Sequence, residues 1–82
     1  MMKEVYSLEF VLYAYHTSEG ALRNALAQFG YEVEVSLLER KDAEKGNNFK
    51  VCMKADDPLT VFDASAELGK IKSVKVNKEE TK

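Results

Sequence analysis

Residues 5–39, VYSLEFVLYAYHTSEGALRNALAQFGYEVEVSLLE, contain two strand patterns with a helix pattern between them. Val5–His16 and Tyr31–Glu39 alternate between two sets of side chains with the period of two that is typical of a half-buried strand. Through Thr17–Phe29, apolar residues recur instead at helical spacing. This stretch therefore predicts a strand, a helix and a second strand, in that order.

The same pattern repeats in residues 49–77, FKVCMKADDPLTVFDASAELGKIKSVKVN. It predicts a strand at Phe49–Ala55, a helix at Asp57–Leu68 and a strand at Ser73–Asn77. The order βαββαβ is that of the split βαβ or ferredoxin-like layout, an α+β architecture in which a four-stranded antiparallel sheet carries both helices on one face. We expect one such domain over residues 1–77, followed by a polar tail at residues 78–82.

Residues that cap helices mark the ends of both predicted helices. Thr17 or Ser18 is expected to accept a hydrogen bond from a free backbone N–H at the start of the first helix. Gly30 is expected to end that helix in a left-handed conformation. Asp57, which precedes a proline, is expected to cap the second helix, and Gly69 is expected to end it.

The layout places the strands in the spatial order four, one, three, two, so that strands one and three are central. Alternation then assigns each side chain to one face of the sheet. Besides the inward residues of the two central strands, the inward set is expected to contain Tyr31, Val33, Val35 and Leu37 of strand two. On the second helix, Leu59, Phe62 and Ala66 form one apolar stripe, which Val61, Ala64 and Leu68 broaden. On strand four, Val74 and Val76 alternate with Ser73, Lys75 and Asn77. The opposite face is expected to carry Val11, Tyr13, Tyr15, Lys50, Cys52 and Lys54.

The composition indicates the class of protein. The 82 residues include 12 Lys and Arg against 14 Asp and Glu, a net charge of −2, so the basic footprint of a nucleic-acid-binding protein is missing. One cysteine cannot form an internal disulfide, which favours a reducing compartment. No apolar run approaches the roughly 18–20 residues that span a bilayer, and no signal-peptide pattern opens the chain. We expect a soluble cytoplasmic protein that does not associate with membranes.

Few residues could support catalysis or metal binding. Cys52 and His16 are the only cysteine and histidine, and strand parity directs their side chains apart, so a cysteine–histidine dyad is not expected. Neither residue has a closely spaced second ligand, which excludes the usual zinc patterns. We therefore expect no enzymatic activity, no metal and no cofactor.

The face of the sheet away from the helices suggests partner binding. Val11, Tyr13 and Tyr15 would form an exposed apolar patch of the kind that marks interfaces. Homodimerisation by packing of two sheets, or by pairing of sheet edges, would cover this patch. The interface would then also include Lys50, Cys52 and Lys54. The alternative is a patch screened by lysine stems.

RNA binding is a weaker hypothesis for the same face. RNA-recognition domains share the βαββαβ order and stack bases on aromatic residues of both central strands. Here strand one offers tyrosines, but strand three offers Lys50, Cys52 and Lys54 instead. Half of the stacking platform is missing, so a nucleic-acid partner is not expected.

Several short motifs resemble those of ACT domains, regulatory modules typified by the one attached to prephenate dehydratase. Gly20-Ala21-Leu22 followed by Ala25-Leu26-Ala27-Gln28-Phe29 resembles the opening of that family's first helix. Leu38-Glu39-Arg40 and Val74-Lys75-Val76 resemble the segment after its second strand and part of its last strand. Glu19 stands where the family has proline, and Gly30-Tyr31-Glu32 replaces its Gly-Ile-Asn turn.

The resemblance implies a homodimeric regulatory module that binds a small molecule, typically an amino acid, at the loop between the first strand and the first helix. By position, the ligand-binding segment is His16, Thr17, Ser18, Glu19 and Gly20. Free N–H groups at a helix N-terminus favour a carboxylate, and Gly20 would let a ligand approach the backbone. The alternative is that these residues only start a helix. A non-enzymatic ACT-like regulatory module is the leading hypothesis, with a protein-interaction module as the alternative and RNA binding third.

Overall fold

The computed structural model describes residues 4–38 and 46–79. Within these ranges the elements are β1 (Val5–Ala14), α1 (Glu19–Leu26), β2 (Tyr31–Leu37), β3 (Asn47–Ala55), α2 (Pro58–Leu68) and β4 (Lys70–Glu79). The four strands form an antiparallel sheet in the order β2-β3-β1-β4, which is the expected order read from the other edge. The architecture is thus α+β and compatible with the ferredoxin-like layout.

One face of the sheet forms the core. The inward side chains of the central strands are at most 3% exposed: Leu8, Phe10, Leu12 and Ala14 on β1, and Phe49, Val51, Met53 and Ala55 on β3. Leu22 and Leu26 of α1 join this cluster, as does Val61 of α2, so both helices pack on the same face. The alternation predicted for β1 and β3 is confirmed, because burying one face of a strand leaves every second residue on the other.

Helix α1 is shorter than expected and begins at Glu19. The Ser18 side chain caps it, since its Oγ accepts a hydrogen bond from the Ala21 N–H at 3.2 Å. The helix ends at Leu26, before the expected Phe29. Neither helix in the described ranges has the length and apolar character needed to cross a bilayer.

The prediction for Gly30 is wrong, because α1 ends at Leu26 with Ala27 as its C-cap. Among the described glycines only Gly46 lies in the left-handed region, so Gly30 is not left-handed. A Cβ atom at Gly30 would instead overlap the Lys54 carbonyl oxygen and lie 2.6 Å from the Met53 Cε atom. Glycine is needed here because β3 passes too close for a side chain.

The second helix also differs from the prediction. Asp57 is the N-cap residue but makes no capping bond to the backbone, and its carboxylate accepts a hydrogen bond from the Thr60 hydroxyl at 2.7 Å. Leu59 is 74% exposed and Ala66 is exposed, whereas Val61 and Ser65 are fully buried. The prediction is confirmed for Val61 and Phe62, which pack in or against the core, and wrong for Leu59 and Ala66. The reason is that α2 is apolar on several sides, and only packing selects the side that faces the sheet.

Strand β2 contains a bulge that reverses one assignment. Tyr31 pairs with Lys54 but Glu34 pairs with Cys52, which leaves one extra residue between the two pairs. Glu32 adopts a positive φ of 51° in this segment. Tyr31 therefore lies on the face of Lys54 and is 47% exposed, so its predicted place in the core is wrong.

Strand β4 is longer than expected and contains a second bulge. It runs to Glu79, so that Lys78 and Glu79 of the expected tail pair with Tyr6 and Val5 of β1. Residues 80–82 lie outside the described ranges, as do Glu39 and Arg40 of the ACT-like motif. Val76 and Lys75 lie on opposite faces as expected, and Val74 is 47% exposed and Val76 43% exposed at the edge of the sheet.

Candidate functional site

The face of the sheet opposite the helices, called here the outer face, is uncovered in the described ranges. The register places Val11 opposite Lys50 and Glu9 opposite Cys52, with Lys54 opposite Ser7. All six predicted interface residues are brought together on or beside this face: Val11, Tyr13, Lys50, Cys52 and Lys54 within strands, and Tyr15 just beyond the end of β1.

At one end of the outer face lies an aromatic cluster, the tyrosine patch, formed by Val11, Tyr13 and Tyr15. The two tyrosine rings meet edge to face, with centroids 5.3 Å apart and planes at 83°. The Lys72 ammonium group lies 5.0 Å from the centre of the Tyr13 ring. A hydrogen bond with Tyr15 raises the pKa of Tyr13. Tyr13 is thus held by its neighbours, while Tyr15 is 55% exposed.

Gly46, which immediately precedes β3, packs against Tyr13. It has a φ of 81°, and a Cβ atom there would lie 2.8 Å from the Tyr13 Cζ atom. The ring therefore packs directly on the Gly46 backbone. With Lys72 and Tyr15 also in contact, Tyr13 is a poor platform for stacking a base, which weakens the RNA hypothesis further.

The other end of the outer face is charged and encloses an open depression of about 550 Å³. Its ion pairs cross from strand to strand. Glu9 lies 3.6 Å from Lys50 and 3.9 Å from Lys75. Lys54 lies 3.0 Å from Glu32 and 3.5 Å from Glu79, whose carboxylate also accepts a hydrogen bond from Ser7. Opposite charges are matched within this network, so little net charge is left to attract a ligand.

Cys52 lines this depression, but its surroundings keep the thiol protonated. Partial burial, together with the carboxylate of Glu9, raises the pKa of Cys52. Its Sγ atom lies 3.8 Å from Glu9 Oε1, to which it donates a weak hydrogen bond. Cys52 lies opposite Glu9 near the middle of β1, whereas His16 lies two residues beyond the end of that strand. The structure thus keeps Cys52 and His16 apart.

In the predicted ligand-binding segment, residues 16–20, two side chains make hydrogen bonds that hold the fold together, and the other three residues have no such role in the described contacts. Ser18 caps α1, and the Glu19 carboxylate accepts a hydrogen bond from the Leu37 N–H at 3.2 Å, which joins α1 to the end of β2. Gly20 differs from these two, because no atom lies within 4 Å of the position of an added Cβ. His16 is exposed and has a φ of 52°, and Thr17 is half-buried. No group of metal-ligating side chains is found in the described ranges.

Sequence reasoning missed part of the outer face. Lys72 and Glu79 contact predicted residues, as does Glu9, which also contacts Lys75. The alternation predicted for the first and last strands already places Glu9 and Lys75 on this face. Lys72 and Glu79 lie outside the predicted last strand, and the bulge in β4, which nothing in the sequence marks, puts Lys72 on the same face as Lys75. The three lysines at positions 70, 72 and 75 are the only signal that could have drawn attention to this strand.

The chain matches no protein-family model, no curated protein and no solved structure.

Proposed function

We propose that this chain is a non-enzymatic interaction module that self-associates through the tyrosine patch of its outer face. The observation that supports the proposal best is Tyr15, which exposes 55% of its surface beside Tyr13 on the sheet face opposite both described helices. Exposed apolar patches mark interaction sites, and tyrosine is among the residues enriched in interfaces. We place the module in the cytoplasm, where a lone thiol such as that of Cys52 stays reduced.

The tyrosine patch is favoured over the charged end of the outer face on energetic grounds. Covering the ion pairs of Glu9 and Lys54 would remove four or more charges from water, and that desolvation offsets much of their attraction. Burying the exposed half of one tyrosine removes roughly 100 Å² from water and contributes about 2–3 kcal/mol. In a two-fold symmetric dimer this contribution occurs twice.

The proposal is tested by sedimentation of the purified protein over a wide concentration range, with two matched variants. Tyr15→Glu should weaken dimerisation at least tenfold, a change of about 1.4 kcal/mol. Tyr31→Glu is the control, because Tyr31 is 47% exposed but lies beside Lys54 at the other end of the face. A wild-type protein that stays monomeric at all concentrations, or equal dimerisation of both variants, would contradict the proposal.

A small-molecule site at residues 16–20 is the second candidate, and Gly20 favours it. The open space around Gly20 shows that packing does not require a glycine there, and a helical glycine costs roughly 0.5–1 kcal/mol relative to alanine. Close approach of a ligand such as an amino acid would explain the residue. The chain would then act as an ACT-like regulatory module, in which ligand shifts the equilibrium between subunit arrangements.

A thermal-shift screen against the amino acids tests this second candidate. Ligand at 100 times its Kd adds about 2.7 kcal/mol of stability, which for a domain of this size raises Tm by roughly 10 °C or more. Gly20→Val should fold but lose the shift, because the added side chain would occupy the space left for ligand. Asn24→Val, on an exposed position of the same helix, should keep the shift. No shift with any amino acid would eliminate an amino-acid site.

A further inference from the structure

The edge strand β4 leaves one side of its backbone without a strand partner. In residues 4–38 and 46–79, the sheet ends at β4, which pairs only with β1. The N–H and C=O groups that point away from β1 are therefore available to another extended chain. At ten residues, β4 offers a long template for pairing.

A bulge gathers three lysines of β4 on the outer face. Lys70 pairs with Tyr13 and Lys72 pairs with Val11, so both share the outer face with these residues. Beyond the extra residue at Ser73, whose φ is 51°, Lys75 pairs with Glu9 and again lies on the outer face. Without the bulge, alternation would send Lys75 to the helix side.

The helix side of the same edge is apolar. Val76 pairs with the buried Leu8, and Val74 has the same parity in the strand. Val74 is 47% exposed and Val76 is 43% exposed, because no described element covers them beyond the edge of the sheet. The free edge thus presents lysines toward one face and valines toward the other.

The geometry points to β4 as the docking edge for an extended segment of another protein that alternates acidic and apolar residues and adds a fifth strand to the sheet. Backbone pairing along β4 would hold the segment in place. Its acidic side chains would lie beside Lys70, Lys72 and Lys75, the last of which keeps 74% of its side chain exposed although it lies 3.9 Å from Glu9. Its apolar side chains would cover Val74 and Val76. The proposal goes beyond the proposed function, since it concerns the edge and not the tyrosine patch.

Charge selects this occupant over a second copy of the chain. Two β4 edges would bring their lysine rows together, and like charges on neighbouring strands repel. Strand β2 carries the alternating sequence Glu32-Val33-Glu34, but its bulge interrupts a regular edge, and Glu32 is already paired with Lys54 at 3.0 Å. The lysines that keep two copies apart are the ones that attract an acidic strand.

A labelled peptide tests the proposal by fluorescence anisotropy on the full chain. The probe is an eight-residue peptide that alternates glutamate and valine, and the control peptide has the same composition with its glutamates grouped at one end. The alternating peptide should bind more tightly, with an affinity that falls as salt concentration rises. Lys70→Gln and Lys75→Gln should each weaken binding several-fold. The matched control is Lys78→Gln, which removes a lysine that pairs with Glu4.

Backbone amide exchange provides the structural readout. Amides on the free side of β4 should become protected when the alternating peptide binds, and those of β2 should not change. Tyr15→Glu should leave peptide binding intact, so this proposal and the proposed function fail separately. Equal binding of both peptides, protection of β2, or lysine-dependent binding of a single-stranded RNA with no peptide binding would overturn the inference.

Discussion

Ser65 lies in α2 with its side chain fully buried, and its Oγ atom has no hydrogen-bond partner among the described residues. A hydroxyl that leaves water without gaining a partner destabilises the folded state. Its neighbour one turn earlier, Val61, is equally buried and contributes to the core without such a cost. Ser65 therefore places an unsatisfied hydrogen-bonding group in the core.

Ser65→Ala should raise the free energy of unfolding by about 1 kcal/mol. The substitution removes the unpaired hydroxyl and replaces serine by the residue with the highest helix propensity. Urea denaturation followed by circular dichroism measures the change. Ser36→Ala, on an exposed position of β2, should stay within about 0.5 kcal/mol of the wild type. Loss of stability in Ser65→Ala would show that the hydroxyl has a partner.

The two bulges matter most at the scale of single elements. Each one places a residue other than glycine at positive φ, Glu32 in β2 and Ser73 in β4, a conformation that costs free energy. Each bulge also reverses the alternation between the residues on its two sides. The bulge in β4 puts Lys72 on the same face as Lys75, and the bulge in β2 puts Tyr31 beside Lys54.

Ser73→Gly should therefore stabilise the protein by roughly 0.5–1 kcal/mol, because glycine adopts positive φ without steric strain. The same substitution at Ser36, in the regular part of β2, should have the opposite sign, since glycine weakens an ordinary strand. Urea denaturation of the two variants compares the effects directly. If both substitutions destabilise the protein by equal amounts, Ser73 does not occupy a strained bulge.

The stability of the whole molecule depends on pH in both the alkaline and the acidic range, because ion pairs and burial shift the pKa values of several groups. On the alkaline side, burial and the Glu9 carboxylate raise the pKa of Cys52 above its ordinary value of about 9. The folded state thus holds this proton more tightly than the unfolded chain. The stability that it contributes is present below pH 9 and is lost as pH rises through the folded pKa.

The urea midpoint should consequently decrease above about pH 9, and Cys52→Ala should make the first part of this decrease shallower. Hydrogen bonding to glutamates also raises the pKa values of Tyr6 and Lys54, so their contributions have the same sign but begin above about pH 10. Parallel pH profiles of the wild type and Cys52→Ala would show that the thiol is not in the environment described.

At acidic pH the dependence has the opposite sign, so that stability decreases as pH falls. A hydrogen bond from Lys78 lowers the pKa of Glu4, with a second one from Tyr6. The unfolded chain therefore binds the proton more tightly, and the stability from this pair is lost as pH falls through the folded pKa, below about 4.5.

Much of the architecture was predictable because period-two and helical patterns depend on only one face being buried. They located all six elements and the inward residues of β1 and β3, where each strand crosses the centre of the sheet. The outer-face positions of Lys50, Cys52 and Lys54 followed from the same parity. The sequence predicts either Thr17 or Ser18 as the cap of α1, and the hydrogen bond from the Ala21 N–H identifies Ser18 as the capping residue.

The sequence alone thus determined the α+β class, the order of elements and the two sets of faces on the central strands, because alternation and capping are local properties of the chain. Tertiary structure decided the face of Tyr31, the placement of Lys70 and Lys72 on the same face as Lys75, the side of α2 that is buried and the close approach of β3 to Gly30. A bulge, a helix rotation or a close backbone approach is selected by how neighbouring elements fit together, and that free energy depends on residues far apart in the chain.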